Sequence, residues 1–294
     1  AECIESGTNN DVVFVDGSWH MPTTNRNARQ EYEQGPRIPG AKFFDIDDIS
    51  TTSNLPHMLP SKELFAATMD ALDIGNDNHV VVYTTKDCPN GPRAWWTFRA
   101  MGHDKEKVHL MQGSLEDWQK EGGPLEEGAV TAKTIYARDL NTNAETAIYK
   151  AMHAKNVVDK ARVEEIVKSN PDSNHVVILD ARSEGRFKGV DPEPRPGLRG
   201  GHIPGSLNVP FGELLASPSV FKPVEELKAV FAKRGLDTES TVEQNRILCT
   251  CGSGVTATIV AAALEACGRD ADTIDIYDGS WAEWGSYDDT PIDT

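Results

Sequence analysis

A cysteine-bearing loop between a strand-like and a helix-like segment has the residue types for nucleophilic chemistry. Residues 249–256 read Cys-Thr-Cys-Gly-Ser-Gly-Val-Thr and follow a short apolar run that predicts a buried strand. The Ala-rich segment 255–267 predicts a helix. Gly252 and Gly254 let backbone N–H groups turn inward, and such amides at a helix N-terminus bind anions. This loop therefore favours a reactive thiolate at Cys251, whereas a buried structural cysteine would need no glycine-rich cradle.

Composition narrows the classes of partner. The chain has 294 residues, enough for two ordinary domains, and a net charge of −17 that argues against nucleic acid or an anionic membrane as partner. No apolar run is long enough to span a bilayer. The five cysteines are odd in number and sparse, which favours a reducing compartment over a disulfide framework. Cys-x-Cys without a second ligand pair is not a zinc pattern, and we expect no metal and no cofactor.

The sequence repeats itself at offsets of 164 to 166 residues, which indicates two tandem copies of one domain. The matches pair Phe14-Val15-Asp16 with Ile178-Leu179-Asp180, Ile38-Pro39-Gly40 with Ile203-Pro204-Gly205, Val81–Thr84 with Ile247–Thr250, and Gly113-Ser114 with Gly279-Ser280. We predict an N-terminal domain over 1–128, a linker over 129–155 and a C-terminal domain over 156–294. Cys251 corresponds to Thr85 in the first copy, so only the second copy carries the nucleophile.

Each copy alternates β-branched apolar runs with segments of helical periodicity. We predict strands over 11–15, 79–83, 108–111, 176–179, 246–249 and 274–277, and helices over 62–72, 93–101, 162–169, 224–234 and 255–267. This alternation predicts an α/β fold in which each domain is a parallel sheet with helices on both faces. Ligands of such sheets bind at the carboxyl ends of the strands, where Cys251 lies.

Several motifs together resemble the rhodanese-like sulfurtransferases over nearly the whole chain. They are the tandem repeat, Asp180-Ala-Arg182-x-x-Gly185-Arg186-Phe187, Gly201-His202-Ile203-Pro204-Gly205 and Cys251-Gly-Ser-Gly-Val-Thr256. Thiosulfate-using members carry Arg and Lys after the cysteine. Gly252 and Ser253 stand there in this chain, and together with His57-Met58-Leu59-Pro60 they resemble the branch of the family that uses 3-mercaptopyruvate.

The resemblance implies a persulfide cycle on Cys251. The thiolate takes sulfur from 3-mercaptopyruvate, pyruvate leaves, and the sulfur passes to an acceptor thiol, such as that of thioredoxin, or to cyanide. It also implies substrate contacts from the loop residues Gly252, Gly254, Val255 and Thr256. The family's location and the sparse cysteines predict a cytoplasmic or mitochondrial enzyme, present as a monomer or weak dimer. The chain begins at Ala1 without methionine, which is compatible with removal of an upstream targeting segment.

The same resemblance implies a relay of Ser253, His57 and Asp47 beside the cysteine. A hydroxyl near the nucleophile can move a proton, with the imidazole tuning it and the carboxylate orienting the imidazole. Each residue also has a simpler interpretation. Ser253 is a small turn residue, His57 a surface histidine, and Asp47 a loop carboxylate that caps its own backbone.

A protein of net charge −17 must bind an anionic substrate with local cations. Arg186 and Arg195 are the candidates, because guanidinium groups bind carboxylates in two-pronged fashion and the family places its substrate arginines at matching positions. Their alternative role is a surface ion pair. Arg182 we interpret as structural, a residue that holds a loop down.

Three other functions compete with this interpretation. A thiosulfate sulfurtransferase is disfavoured by the uncharged loop. A cysteine-dependent phosphatase needs an arginine six residues after the cysteine, where Ala257 stands. A persulfide carrier or binding module without turnover is weakened by the presence of Cys251 with a full set of polar partners.

Overall fold

The computed structural model describes residues 11–51, 53–130, 140, 146–169, 176–238 and 246–294. The chain divides into two compact units. The first contains Ala1–Thr51, Leu59–Lys155 and Ser217–Val220, and the second contains Thr52–Met58, Asn156–Ala216 and Phe221–Thr294. Residues 131–139 and 141–145 of the predicted linker lie outside the described residues.

The first unit is built on a parallel sheet. Its strands are β1 (Val12–Asp16), β2 (Lys42–Phe43), β3 (His79–Tyr83) and β4 (Val108–Leu110), in the order β2-β1-β3-β4. The chain also forms the helices α1 (Ala28–Gln34), α2 (Lys62–Ala71), α3 (Gly91–Ala100) and α4 (Leu115–Lys120). Every strand pair in this sheet is parallel, because a helix or long connection returns the chain to the same edge each time.

The second unit has a five-stranded parallel sheet. Its strands are β5 (Val157–Val158), β6 (Val176–Asp180), β7 (Leu207–Asn208), β10 (Arg246–Thr250) and β11 (Ile274–Tyr277), in the order β5-β11-β10-β6-β7. Two short strands, β8 (Leu215–Ser217) and β9 (Val220–Phe221), form a separate two-stranded sheet. The helices of the second unit are α5 (Lys160–Ser169), α6 (Glu184–Phe187), α7 (Val224–Ala232), α8 (Ala257–Ala266) and α9 (Ser280–Trp284).

Burial explains why β10 lies at the centre of its sheet. Ile247, Leu248, Cys249 and Thr250 are all buried, so both faces of this strand are covered, as its unbroken apolar sequence requires. The helix α8 is likewise buried from Ala257 to Leu264, which its small side chains allow. Strand and helix hold the connecting loop from both ends.

The prediction of a parallel-sheet α/β fold is confirmed. Strands β3 and β11 begin and end at the predicted residues, and α8 begins at Ala257 rather than at residue 255. The two-residue strands β2, β5 and β7 and the short helices α1 and α6 were not predicted. Segments of two residues carry no periodicity, and only pairing with a neighbour makes them strands.

Candidate active site

Cys251 is the first residue after β10, at the carboxyl end of the central strand of the second sheet. Its side chain is buried, with 2 % of the residue exposed. The loop turns at Gly254, whose φ of 74° lies in the left-handed region that favours glycine. The chain then enters α8 at Ala257. The structure therefore puts the cysteine between a strand end and a helix N-terminus, the position that its sequence predicts.

The loop is fastened to the start of α9 by four hydrogen bonds. The N–H groups of Cys251 and Gly254 both donate to the hydroxyl of Ser280, at 3.1 and 3.0 Å. In return, the N–H groups of Trp281 and Ala282 donate to the carbonyls of Cys251 and Gly252, at 3.0 and 2.9 Å. Sequence reasoning did not identify Ser280 as part of the site. The signal was the repeated Gly-Ser pair at 113–114 and 279–280, which marks a shared structural position but not this contact.

The remaining loop amides have no partner within the part of the chain that the structure describes. The N–H groups of Gly252, Ser253, Val255 and Thr256 donate to no acceptor among those residues. Amides of this kind, close to the N-terminus of the ten-residue α8, are suited to an anion. The predicted anion-binding character of the loop thus rests on these four amides, while the Gly254 N–H is bound to Ser280.

Arg186 lies against the loop. An ideal Cβ built on Gly252 would be 2.9 Å from its Nη2 atom, so only glycine lets the guanidinium approach this closely. Glu193 holds the arginine by accepting from Nε at 3.2 Å and from Nη2 at 2.6 Å. The guanidinium keeps 23 % side-chain exposure, so part of it remains accessible to a ligand.

The carboxylate of Glu193 belongs to a buried network. Its side chain is 2 % exposed and also accepts from Nη1 of Arg182 at 2.8 Å. Arg182, fully buried, pairs with Asp180 at 2.6 Å and donates to the carbonyl of Gly201 at 2.8 Å. Its guanidinium stacks on the Trp281 ring, 4.1 Å from the centroid. The prediction that Arg182 holds a loop is confirmed, and the same network fixes Arg186.

Arg195 and His57 both belong to the second unit, which includes residues 52–58, and their side chains are in contact. Nη2 of Arg195 lies 3.3 Å from Nε2 of His57. A guanidinium can only donate, so this contact requires Nε2 to be the unprotonated acceptor. His57 is buried and adopts a φ of 60°, a conformation uncommon for a non-glycine residue. One of the predicted substrate arginines thus contacts the predicted relay histidine.

Ser253 and Asp47 have different surroundings. Ser253 is 8 % exposed, and its hydroxyl has no hydrogen-bond partner among the residues that the structure describes, His57 included. Asp47 belongs to the first unit, where the indole N–H of Trp19 donates to its carboxylate at 2.7 Å. In the same loop, the carboxylate of Asp45 accepts from the Asp47 N–H at 3.0 Å. The roles of Ser253, His57 and Asp47 stay predictions.

The other described cysteines are held as thiols. Burial raises the pKa of Cys249 and of Cys267, and it raises the pKa of Cys88 to about 11. Each of these cysteines is unpaired and buried. Their position in a strand, a helix end and a packed loop disfavours the thiolate, so none competes as a nucleophile near neutral pH.

Fold and loop together define a two-domain parallel α/β protein with one cysteine in a glycine-containing loop between a central strand and a helix. A family model described as the rhodanese-like domain matches residues 9–121 and 163–287. The chain belongs to the rhodanese-like family, as its sequence motifs predicted, and it is an enzyme of the transferase class. No helix within the described ranges is sufficiently long and apolar to cross a membrane.

Named relatives cover most of the chain. A 3-mercaptopyruvate sulfurtransferase of Escherichia coli K12 is 41 % identical over 96 % of this chain and 92 % of its own length. A mitochondrial thiosulfate/3-mercaptopyruvate sulfurtransferase of Arabidopsis thaliana is 39 % identical over 97 % and 74 %. The crystal structure of SseA from Escherichia coli, described as a 3-mercaptopyruvate sulfotransferase, is 36 % identical, covers 96 % of both chains and gives a TM-score of 0.76.

Proposed function

We propose that this protein is a 3-mercaptopyruvate sulfurtransferase that works through a persulfide on Cys251. The observation that carries the proposal is the position of Arg186 against Gly252, in a loop where the N–H groups of Gly252, Ser253, Val255 and Thr256 have no acceptor among the described residues. The two features give the loop that carries Cys251 a fixed cation and several N–H donors. Together they favour a small carboxylate-bearing sulfur donor.

The first half-reaction transfers one sulfur atom. The Cys251 thiolate attacks the sulfur of 3-mercaptopyruvate, and the S–S bond forms as the carbon–sulfur bond breaks. The electron pair of the broken bond goes to carbon, which leaves as the enolate of pyruvate, and a proton converts it to pyruvate. Cys251 keeps the sulfur and its proton as a persulfide. Loop amides and the α8 N-terminus stabilise the anions on this path.

The arginines are proposed to bind the substrate carboxylate and keto oxygen. Glu193 occupies Nε and Nη2 of Arg186 and so sets the direction of the rest of its guanidinium. Arg195 contacts His57 through Nη2. A planar guanidinium can engage a carboxylate through two N–H groups. Gly252, Gly254, Val255 and Thr256 are proposed to line the same pocket.

We assign to Ser253 the donation of the proton that converts the enolate to pyruvate. His57 and Asp47 are the other proposed members of this relay. The Ser253 hydroxyl, two residues from the nucleophile, has no hydrogen-bond partner within the described ranges and so can reach the substrate. His57 has its Nε2 lone pair directed at Arg195, so a carboxylate that draws Arg195 away would release that nitrogen to accept a proton. This assignment predicts that substrate binding and relay function are coupled through Arg195.

Thiosulfate is the competing donor, and the Arabidopsis thaliana relative carries it in its name. Gly252 and Ser253 supply no positive charge to balance the second negative charge of the thiosulfate dianion. We therefore expect kcat/KM for mercaptopyruvate to exceed that for thiosulfate by at least about tenfold, the equivalent of about 1.4 kcal/mol. The ratio of the two values measured on one preparation decides between the donors.

The second half-reaction is proposed to use a thiol acceptor such as thioredoxin, or cyanide. The acceptor attacks the outer persulfide sulfur, takes it away and returns Cys251 as a thiolate. A cytoplasmic or mitochondrial site of action and a monomeric or weakly dimeric state stay predictions.

Intact-protein mass spectrometry after one equivalent of mercaptopyruvate tests the proposal. We expect one added sulfur atom, mapped to residue 251, together with one equivalent of pyruvate. Cys251→Ser should remove both signals. Cys249→Ala is the matched control, because it deletes the buried neighbouring thiol and should leave both signals in place. Pyruvate release by Cys251→Ser at the unmodified rate would refute the assignment of the nucleophile.

A further inference from the structure

We infer that Ser280 is a positioning residue for the reaction at Cys251, and that its hydroxyl sets the geometry of the loop that carries the nucleophile. This inference rests on the proposed function for its catalytic meaning. The structural part concerns only the loop and can be tested without any sulfur donor.

The Ser280 hydroxyl lies at the centre of the loop. It is fully buried, accepts the N–H of Cys251 and of Gly254, and donates to the carbonyl of Tyr277 at 2.8 Å. The hydroxyl of Thr250 is a further neighbour at 3.3 Å. One oxygen thus joins the two ends of the turn that begins at Cys251, which fixes the direction of the amides between them.

The first copy of the domain provides a natural comparison. Ser114, which the repeat matches to Ser280, caps α4 in a capping box: its hydroxyl accepts the N–H of Asp117 at 3.3 Å and donates to that carboxylate at 2.8 Å. Glu283, matched to Asp117, instead accepts from the Tyr277 hydroxyl at 2.8 Å. Ser114 therefore caps a helix in the copy without a nucleophile. Its counterpart Ser280 instead binds the loop amides in the copy that contains Cys251.

The backbone of Ser280 supports this division of roles. Its φ is 50°, in the left-handed region, while Ser114 has an ordinary φ of −90°. A glycine would adopt this conformation more readily, so the backbone alone does not explain a serine here. The hydroxyl is the feature that glycine lacks, and its partners are the loop amides.

Without the hydroxyl, the N–H groups of Cys251 and Gly254 would lose this acceptor. Unpaired buried amides are unfavourable, so the loop would turn to satisfy them. The N–H groups of Gly252 and Ser253, which lie between the two bonded amides, would then change direction relative to Cys251. The expected loss is in the reactivity of the cysteine and in kcat. The change in KM should be smaller, since none of the hydrogen bonds of the Ser280 hydroxyl among the described residues involves Arg186 or Arg195.

The test compares Ser280→Ala and Ser280→Gly with the matched control Ser114→Ala. Iodoacetamide alkylation of Cys251 is followed against pH, with kcat and KM for mercaptopyruvate in parallel. We expect both Ser280 variants to slow alkylation at pH 7 at least fivefold, to move its pH profile to higher pH and to lower kcat at least tenfold. Ser114→Ala should retain the unmodified alkylation profile and kcat.

Each other outcome has a defined meaning. Unmodified alkylation and kcat in both Ser280 variants would overturn the inference, and so would full activity in Ser280→Gly alone, because backbone conformation would then be the only requirement. If the unmodified enzyme forms no persulfide, the proposed function fails while the alkylation comparison still decides the role of Ser280.

Amide hydrogen exchange in the unmodified protein gives a test that needs no variant. The N–H groups of Cys251 and Gly254 should exchange at least tenfold more slowly than those of Gly252 and Ser253. Equal exchange across these four residues would also overturn the inference.

Discussion

At the scale of single residues, the close approach of Arg186 to Gly252 makes a sharp prediction. Gly252→Ala would place a methyl group 2.9 Å from Nη2, and the flexible guanidinium must move to admit it. The fold should tolerate the change, within about 0.5 kcal/mol, because only a side-chain end is displaced. We expect KM for mercaptopyruvate to rise about three- to tenfold, as measured by steady-state kinetics, since the cation is displaced from the loop.

Gly212→Ala is the matched control for this substitution. A Cβ at Gly212 meets no atom within 4 Å, so KM and the unfolding midpoint should both stay unchanged. An unchanged KM in Gly252→Ala itself would show that Arg186 does not bind the substrate.

The residues that the sequence identified share one property: each stands in a short local motif that indicates its role. Cys251 stands in a glycine-rich segment after an apolar run, and Arg182 and Arg186 stand in a recognisable motif. Glu193 and Ser280 could not be found in this way. Their importance comes from a carboxylate that two arginines share and from a hydroxyl that two distant amides share, and both depend on packing.

At the scale of elements, residues 146–155 form an ordered arm on the first unit. Asp70, near the end of α2, accepts the N–H groups of Ile148 and Tyr149, both at 2.8 Å. Tyr149 is 2 % exposed, and its hydroxyl lies 2.8 Å from Nδ1 of His103. One aspartate side chain therefore anchors this segment at two successive amides.

Removal of that anchor should loosen the arm. We expect Asp70→Ala to lower the free energy of unfolding of the first unit by about 1–2 kcal/mol, because hydrogen bonds to a charged group are lost. Tryptic cleavage at Lys150 should become faster for the same reason. The control is Asp77→Ala, which removes a fully exposed carboxylate and should change neither quantity. Identical cleavage rates for the two variants would contradict the anchoring role.

Element prediction succeeded where a segment carries its own periodicity or burial pattern. Strand β3 is a β-branched run, and α8 is an Ala-rich one, so each is evident without its neighbours. It failed for β2, β5 and β7, which are two residues long and exist because an adjacent strand pairs with them. Local propensity cannot encode a partner that lies far along the chain.

At the scale of the whole molecule, duplication was readable because matched residues recur at a nearly constant offset. The sequence did not predict that residues 52–58 belong to the second unit and residues 217–220 to the first. Neither segment contains a repeat match that would indicate the unit to which it belongs. His57 therefore belongs to the unit that contains Cys251, although its sequence stands within the first copy.

The two copies also differ in the partners of one matched aspartate. This difference predicts how the free energy of unfolding depends on pH. Asp180 ends β6 and is paired with the buried Arg182 at 2.6 Å. Asp16 ends β1, and the position matched to Arg182 is Ser18, whose N–H donates to the carboxylate at 2.9 Å. Burial without a cation raises the pKa of Asp16 to about 6.

The sign of the effect follows from which state holds the proton more tightly. The folded first unit binds a proton at Asp16 up to about pH 6, while the unfolded chain releases it near its ordinary pKa of 3.8. Stability from this group is therefore complete below about pH 4, falls as pH rises to about 6, and stays low above it. A shift of this size corresponds to a loss of about 3 kcal/mol.

Asp16→Asn keeps an oxygen acceptor for the Ser18 N–H and carries no charge to bury. We expect this variant to have a free energy of unfolding about 1–3 kcal/mol higher than that of the unmodified protein at pH 8, with a higher unfolding temperature, and to show no gain at pH 4. Asp180→Asn should do the opposite and destabilise its unit by about 1.5–3 kcal/mol, because it removes the charge of one of the two carboxylates that pair with the buried Arg182, while Glu193 remains. Calorimetry at the two pH values measures both variants. Destabilisation by Asp16→Asn at pH 8 would mean that the carboxylate is ionised and stabilised in the folded unit, so that the two copies treat their matched aspartates alike.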